Sequence, residues 1–248
     1  MRDPLRRAPL SLKDYVAQMR AIPGGTFLPG GEPAATKHFV TLSAFRMGAT
    51  PVTVGMWMEY RRATGGRLPN APDWGWQPNH PMVNVSYHDI AGTDGAGGFC
   101  AWASRRAGIA LRLPTEAEFE YRARDGGKEI AYPWGNRFDH RRLWCSDTEY
   151  GDAKRTAPVD REERIHVNSL GLSDMTGNII QWCRDWYARY PAGPATGPVG
   201  PSTGTVRVIR GGSWGNHGAV QFRSMLRGWN GPLRTSPCIG FRLSAPGK

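Results

Sequence analysis

At 248 residues with 40% hydrophobic residues, the chain can bury a real core, which excludes a disordered or fibrous protein. Its 32 Gly and 20 Pro are heavy punctuation for an ordinary helical or doubly wound protein, so a loop-rich fold packed by 10 Trp and dispersed arginines is expected. The net charge of +11 favours acidic partners, yet no basic stripe or nucleic-acid-binding motif is present.

In chain order, residues 10–21 read as a short amphipathic helix and "IPGGTFLPGG" as a strand and turn. "HFVTLSAFRMGATPVT" alternates like strand. A helix follows from Val54 to Ala63, with Thr53 as N-cap and Gly65-Gly66 as stop. "PNHPMVNVSYHDI" predicts a Pro-rich loop, a strand and the cap of a second helix. That helix includes "FCAWASRRAG", with "GTDGAGG" as an insertion before it. In "RLPTEAEFEYRARDGG", Thr115 and Glu118 form a capping box and Gly126-Gly127 end the helix. The chain is then irregular up to "TAPVD". "NSLGLSDMTGNIIQWCRDWY" predicts a turn and an apolar-aromatic strand, and "TVRVIRGGSW" another strand. No repeat or long polar linker divides the sequence, so residues 1–248 are expected to form one domain. Cys100, Cys145, Cys183 and Cys238 lack metal-ligand spacing and read as buried free thiols. No signal peptide or membrane-spanning run is visible, which predicts a cytoplasmic protein.

Nine strings carry a family resemblance. They are "IPGGTF" (22–27), "PVTVGMWMEY" (51–60), "HPMVNVSY" (80–87), "LRLPTEAEFEYRARDGG" (111–127), "YPWGN" (132–136), "TAPVD" (156–160), "NSLGLSDMTGNIIQW" (168–182), "RVIRGGSW" (207–214) and "GFRL" (240–243). In this order they resemble the formylglycine-generating-enzyme family. The resemblance implies an α+β, C-type-lectin-like fold, loop-rich with antiparallel strands and a few helices.

Oxidase members of that family bind copper through two cysteines a few residues after the GGS motif, a donor pair suited to soft Cu(I). Here Asn216 stands at the first of these positions, "AVQ" (219–221) covers the second, and no Cys lies between Cys183 and Cys238. His217 matches a family active-site histidine. The iron-dependent relatives need histidines from an added helical domain, and the six His residues here contain no i, i+4 pair. A structural calcium would use Asp174 with the backbone oxygens of Gly177 and Ile179. Gln181 replaces the family's next carboxylate and removes a charge that a hard cation wants. The other calcium region, "RRLWCSDTEYGD", does not align cleanly. No cofactor is therefore expected, with a structural calcium at Asp174 and Gln181 as the alternative.

Residues 207–243 resemble the tail of one branch, the variable proteins of diversity-generating retroelements. There, mutating the adenines of AAC codons yields any codon ending in C. Gly215, Asn216, His217, Gly218, Val220, Leu226, Gly228, Asn230, Leu233, Thr235, Ser236, Pro237 and Cys238 can all be encoded that way. Trp214, Gln221, Met225 and Trp229 cannot, which divides the tail into a frame and its fillings. Phe222 and Phe241 should face the core, and Arg223, Arg227, Arg234 and Arg242 should tie irregular backbone. The fillings, with Trp229 as an aromatic anchor, should line an outer face that contacts a macromolecular ligand, acidic by preference. The alternatives are a redox enzyme with a repurposed pocket around His217 and Trp182, and an inactive relative that serves as an assembly partner.

Overall fold

A computed structural model describes residues 8–30, 38–93, 97–147, 154–161 and 167–247. Helix α1 (Leu12–Ala17) is capped by Ser11, whose Oγ accepts from the Asp14 N–H. Short strands β1 (Arg20–Ile22), β2 (Gly25–Phe27), β3 (Val40–Leu42) and β4 (Phe45–Met47) follow. Helix α2 (Val54–Thr64) begins at the Thr53 cap and ends where Gly65 turns left-handed at φ 71°. Ser86 and Asp89 form a capping box, but it opens only the short α3 (Tyr87–Ala91), and α4 (Gly98–Ala107) is a separate helix. The single helix expected there is thus two. Residues 82–85 form no described strand; Met82, Val83 and Val85 are buried from a loop. Part of the "GTDGAGG" insertion lies outside the described residues.

Helix α5 (Glu116–Ala123) carries the reciprocal box of Thr115 and Glu118, and only Ala117 along it is not buried. Strand β5 (Ile180–Trp186) and the two-residue β6 (Ala195–Thr196) precede the tail. The tail itself holds β7 (Arg207–Arg210), a 3-10 turn over Ala219–Phe222, and β8 (Arg227–Asn230). It closes with β9 (Ile239–Gly240) and β10 (Ser244–Pro246).

The strands form three small sheets, ordered β1-β4-β10, β2-β3-β6 and β8-β7-β5-β9. The third positions the tail. β7 is antiparallel to both β5 and β8, while β9 runs parallel to β5. Side chains on this sheet alternate between two cores, as strand geometry requires. Trp182 and Ile209 face a cluster with Trp57, Phe99 and Phe241, whereas Cys183 and Val208 face one with Phe119 and Tyr121. Phe241 packs edge-on against Trp57 and Phe99, and Phe222 joins a third cluster with Tyr132, Leu143 and Cys145. Both tail phenylalanines are therefore core residues. Among the described residues, no helix is long and apolar enough to cross a membrane.

Candidate ligand-binding face

Three arginines hold the tail, Arg210 and Arg242 buried and Arg227 half-buried. Arg210 reaches three successive carbonyls, with Nη1 donating to Met225 O (3.0 Å) and Leu226 O (2.6 Å) and Nη2 to Ser224 O (3.2 Å). Its Nη2 also pairs with the Glu120 carboxylate of α5 at 2.5 Å. Arg227, opposite Arg210 in the β7–β8 register, grips both Glu116 oxygens at 2.7 and 2.9 Å. Burial alone would lower the Arg227 guanidinium, but the bond and charge of Glu116 outweigh it and hold it above its ordinary value. Arg242 spans from Gln181 Oε1 (2.6 Å) to the carbonyls of Gly48, Ser173 and Asp174. Burial brings it down to about 10, which leaves it charged at neutral pH.

Two expected ties do not form in this way. Arg223 and Arg234 are exposed, and Arg210, which sequence reasoning passed over, takes the role assigned to them. The pairing register selects between chemically identical residues. Arg210 points from β7 toward α5, whereas Arg223 follows the 3-10 turn on its solvent side.

Above this frame the candidate residues separate by environment. Gly215, His217, Gly218, Val220, Trp229, Leu233, Thr235 and Pro237 are exposed. Trp229 and Leu233 are exposed at 58% and 73%, unusual for such large apolar side chains. Leu226, Asn230, Ser236 and Cys238 are half-buried. Asn216 is half-buried as well, and its Oδ1 accepts from Ser213 N (2.9 Å) and Oγ (2.8 Å), closing the turn after the GGS motif. Ser236 O accepts from Asn84 N, and burial pushes the Cys238 thiol up. Gly228 lies beside Ile209 on the sheet face opposite Arg210, where a Cβ would stand 3.1 Å from Ile209 Cγ1. Gly218 sits at φ 78° and donates its N–H to Asp147 Oδ2 at 2.8 Å.

Two tail segments meet. Trp214 Nε1 donates to Pro237 O at 3.0 Å, and a Cβ on Gly215 would lie 3.4 Å from Cys238 Sγ. Trp74 rests edge-on against Trp214 at 5.3 Å. An open polar groove of about 620 Å³ continues from Thr235 and Pro237 past Arg61, Leu68, Asn84 and Asp89. Those four residues were absent from the sequence-based site, because only the folded chain brings the segment from α2 to α3 beside the tail. His217 and Trp182 are not partners: His217 is exposed, and Trp182 is fully buried with Nε1 donating to Val85 O at 3.2 Å.

Asp174 and Gln181 do not fit a calcium ion. The Asp174 carboxylate accepts Arg161 Nη2 at 2.6 Å and Asn178 Nδ2 at 3.0 Å. Gln181 turns its Nε2 donor to Asp174 O at 2.6 Å and gives its oxygen to Arg242. Guanidinium and amide donors thus stand where a hard cation would need oxygen lone pairs. The second region proposed for calcium lies partly outside the described residues.

The model for the sulfatase-modifying factor enzyme 1-like domain matches residues 8–245. The chain belongs to this formylglycine-generating-enzyme family. It is 31% identical to the formylglycine-generating enzyme of Thermomonospora curvata, an alignment that covers 97% of this chain and 96% of the relative. It is 36% identical to the mouse inactive C-alpha-formylglycine-generating enzyme 2 over 66% of this chain and 49% of that one. Treponema denticola variable protein 1 shares the fold with a TM-score of 0.74, at 23% identity, covering 92% of this chain and 94% of that one. The family's α+β architecture is thus that of the described chain.

Proposed function

We propose that the chain is a non-enzymatic binding protein whose variable C-terminal face contacts a macromolecular ligand. The observation that carries this reading is the division of labour within the tail. Arg210, Arg227, Arg242, Phe222 and Phe241 hold its backbone from below. Three of the six large apolar side chains exposed among the described residues, Val220, Trp229 and Leu233, stand on it. Exposed apolar and aromatic side chains on a rigid frame are the usual raw material of an interface hot spot. The fold shared with the Treponema denticola variable protein supports the reading, as does the use of Asn216 to close its own turn.

The decisive experiment reads the end of this gene and its flanking DNA in several isolates. A nearby near-copy of the tail, rich in AAC at the fillings and beside a reverse transcriptase gene, is the expected result. A constant tail without such a copy would sink the repertoire reading. The 31% identity to a formylglycine-generating enzyme favours a second reading, oxygen chemistry in a repurposed pocket. Stoichiometric copper or iron uptake together with oxygen consumption by the purified chain would establish that one instead.

A further inference from the structure

Away from the tail's outer surface, a cavity of about 340 Å³ opens between β3, α5 and the loop after β5. Its walls include Phe27, Val40, Trp186, Tyr190, Pro198 and Val199. Three carboxylates from two elements reach it: Glu116, Glu120 and Asp185. Two are spoken for. Glu116 is held by Arg227, while Glu120 bonds Arg210, Arg124 and the Gly30 N–H. Asp185 differs. It is 4% exposed, its Oδ2 accepts the Glu116 N–H at 2.9 Å, and among the described residues no donor reaches Oδ1. A carboxylate oxygen without a protein donor, facing a mostly apolar cavity sized for a small ligand, suits a group that brings both positive charge and N–H.

We infer that this cavity binds a small molecule with an apolar or aromatic body and one ammonium group, the ammonium seated on Asp185. An anion would oppose the unpaired Asp185 carboxylate, and a neutral body alone would leave Oδ1 without a protein donor. The rings of Trp186 and Tyr190 wall the cavity, each with one face already covered by a guanidinium, Arg207 at 3.4 Å and Arg227 at 3.9 Å. Burial, and after it the charge of Glu116, raise Asp185 to about 7, so in the empty cavity the group is half-protonated at neutral pH. Seating an ammonium ion requires the ionised form, and binding near pH 7 therefore releases roughly half a proton.

The test is calorimetric titration of the full chain with 2-phenylethylamine, 2-phenylethanol and 3-phenylpropionate at about pH 8. The amine should bind at least about tenfold tighter than either analogue. Its affinity should fall about thirtyfold by about pH 5.5, as expected for a carboxylate titrating near 7. Other groups near Asp185 are Glu116 and Glu118 of α5, Arg184 and Cys183 of β5, Arg207 of β7, Tyr87 of α3 and Arg112. His38, Glu120, Arg189, Tyr190 and Arg227 also line the cavity, and His38 lies edge-on to Tyr190 at 6.2 Å. Repeating both pH values with His38→Gln assigns the effect, which should persist. Asp185→Asn should erase the preference for the amine. Val199→Trp, at a lip position 47% exposed, should block entry without disturbing a core. Substitutions in the tail's exposed fillings should leave amine binding unchanged. Equal affinity for the alcohol, a preference that survives Asp185→Asn, or no amine binding below about 10 mM at pH 8 would overturn the assignment. If Asp185→Asn fails to fold, the wild-type pH dependence and Val199→Trp still decide it.

Discussion

Asp185 and His80 place opposite pH dependences on the stability of the fold. Asp185 stands at about 7 against an ordinary 3.8, raised first by burial and then by Glu116. Between those values the folded chain holds a proton that the unfolded chain has released. Stability from this group is therefore lost as pH rises from about 4 to 7, on the order of 4 kcal/mol in all. His80, bonded to Thr156 Oγ1 at 2.8 Å, is lowered from 6.5 to about 4 by burial and then by Arg155 and Arg161. There the unfolded chain binds the extra proton, and stability is lost as pH falls from 6.5 to 4. The two windows overlap, so the opposite slopes nearly cancel and the melting temperature should vary little between about pH 4 and 6.5 on account of these two groups. Asp185→Asn should remove the opposing term and unmask the His80 limb, a melting temperature that falls as pH drops from 6.5 to about 4. A profile in that variant no steeper than in the parent would contradict the assignment. Neither shift could be read from the sequence, since each depends on charges more than 60 residues away in the chain, Glu116 for Asp185 and Arg155 for His80.

At the scale of elements, the tail tests how far a frame can be told from its fillings. Arg210→Met removes the donors that satisfy three carbonyls and leaves Glu120 with only Arg124 and the Gly30 N–H. Breaking such a buried pair costs about 3–5 kcal/mol, measurable by urea unfolding. Arg223→Ala, at an exposed position, should stay within about 0.5 kcal/mol. Equal losses at the two sites would mean that β8 is not held as described. The fillings divide in the same way. Replacing His217, Val220, Leu233 and Thr235 together should shift the melting temperature by no more than about 3 °C. Gly218→Val alone should destabilise measurably, by about 1–2 kcal/mol, because a β-branched residue at φ 78° is strained. The caps of α2 and α5 were legible because Thr53, Gly65, Thr115 and Glu118 act within a few residues of themselves. The three-residue strands gave too short a pattern for certain placement. The choice between Arg210 and Arg223 needed the β7–β8 register, which no local pattern encodes. The cavity beside Asp185 escaped notice for a related reason, since its walls come from five separated segments.

Over the whole molecule, charge is sorted by depth. The buried ionic residues among those described are five acids (Glu116, Glu118, Glu120, Asp174, Asp185) and five arginines (Arg122, Arg124, Arg207, Arg210, Arg242). In formal charge they cancel, so the excess of +11 belongs to the remainder of the chain. A surface of that sign attracts polyanions through long-range, salt-screened forces that carry little selectivity. The proposed tail face offers the opposite: Val220, Trp229 and Leu233 are uncharged, and contacts through them should depend weakly on salt. Heparin retention should therefore fall steeply between about 50 and 500 mM salt and be unaffected by the fourfold replacement of His217, Val220, Leu233 and Thr235. Binding of a true tail ligand should behave in reverse, surviving much of that salt range and disappearing with the replacement. Should heparin retention vanish with the fillings, or ligand binding track salt alone, then charge rather than the variable surface would be choosing the partner.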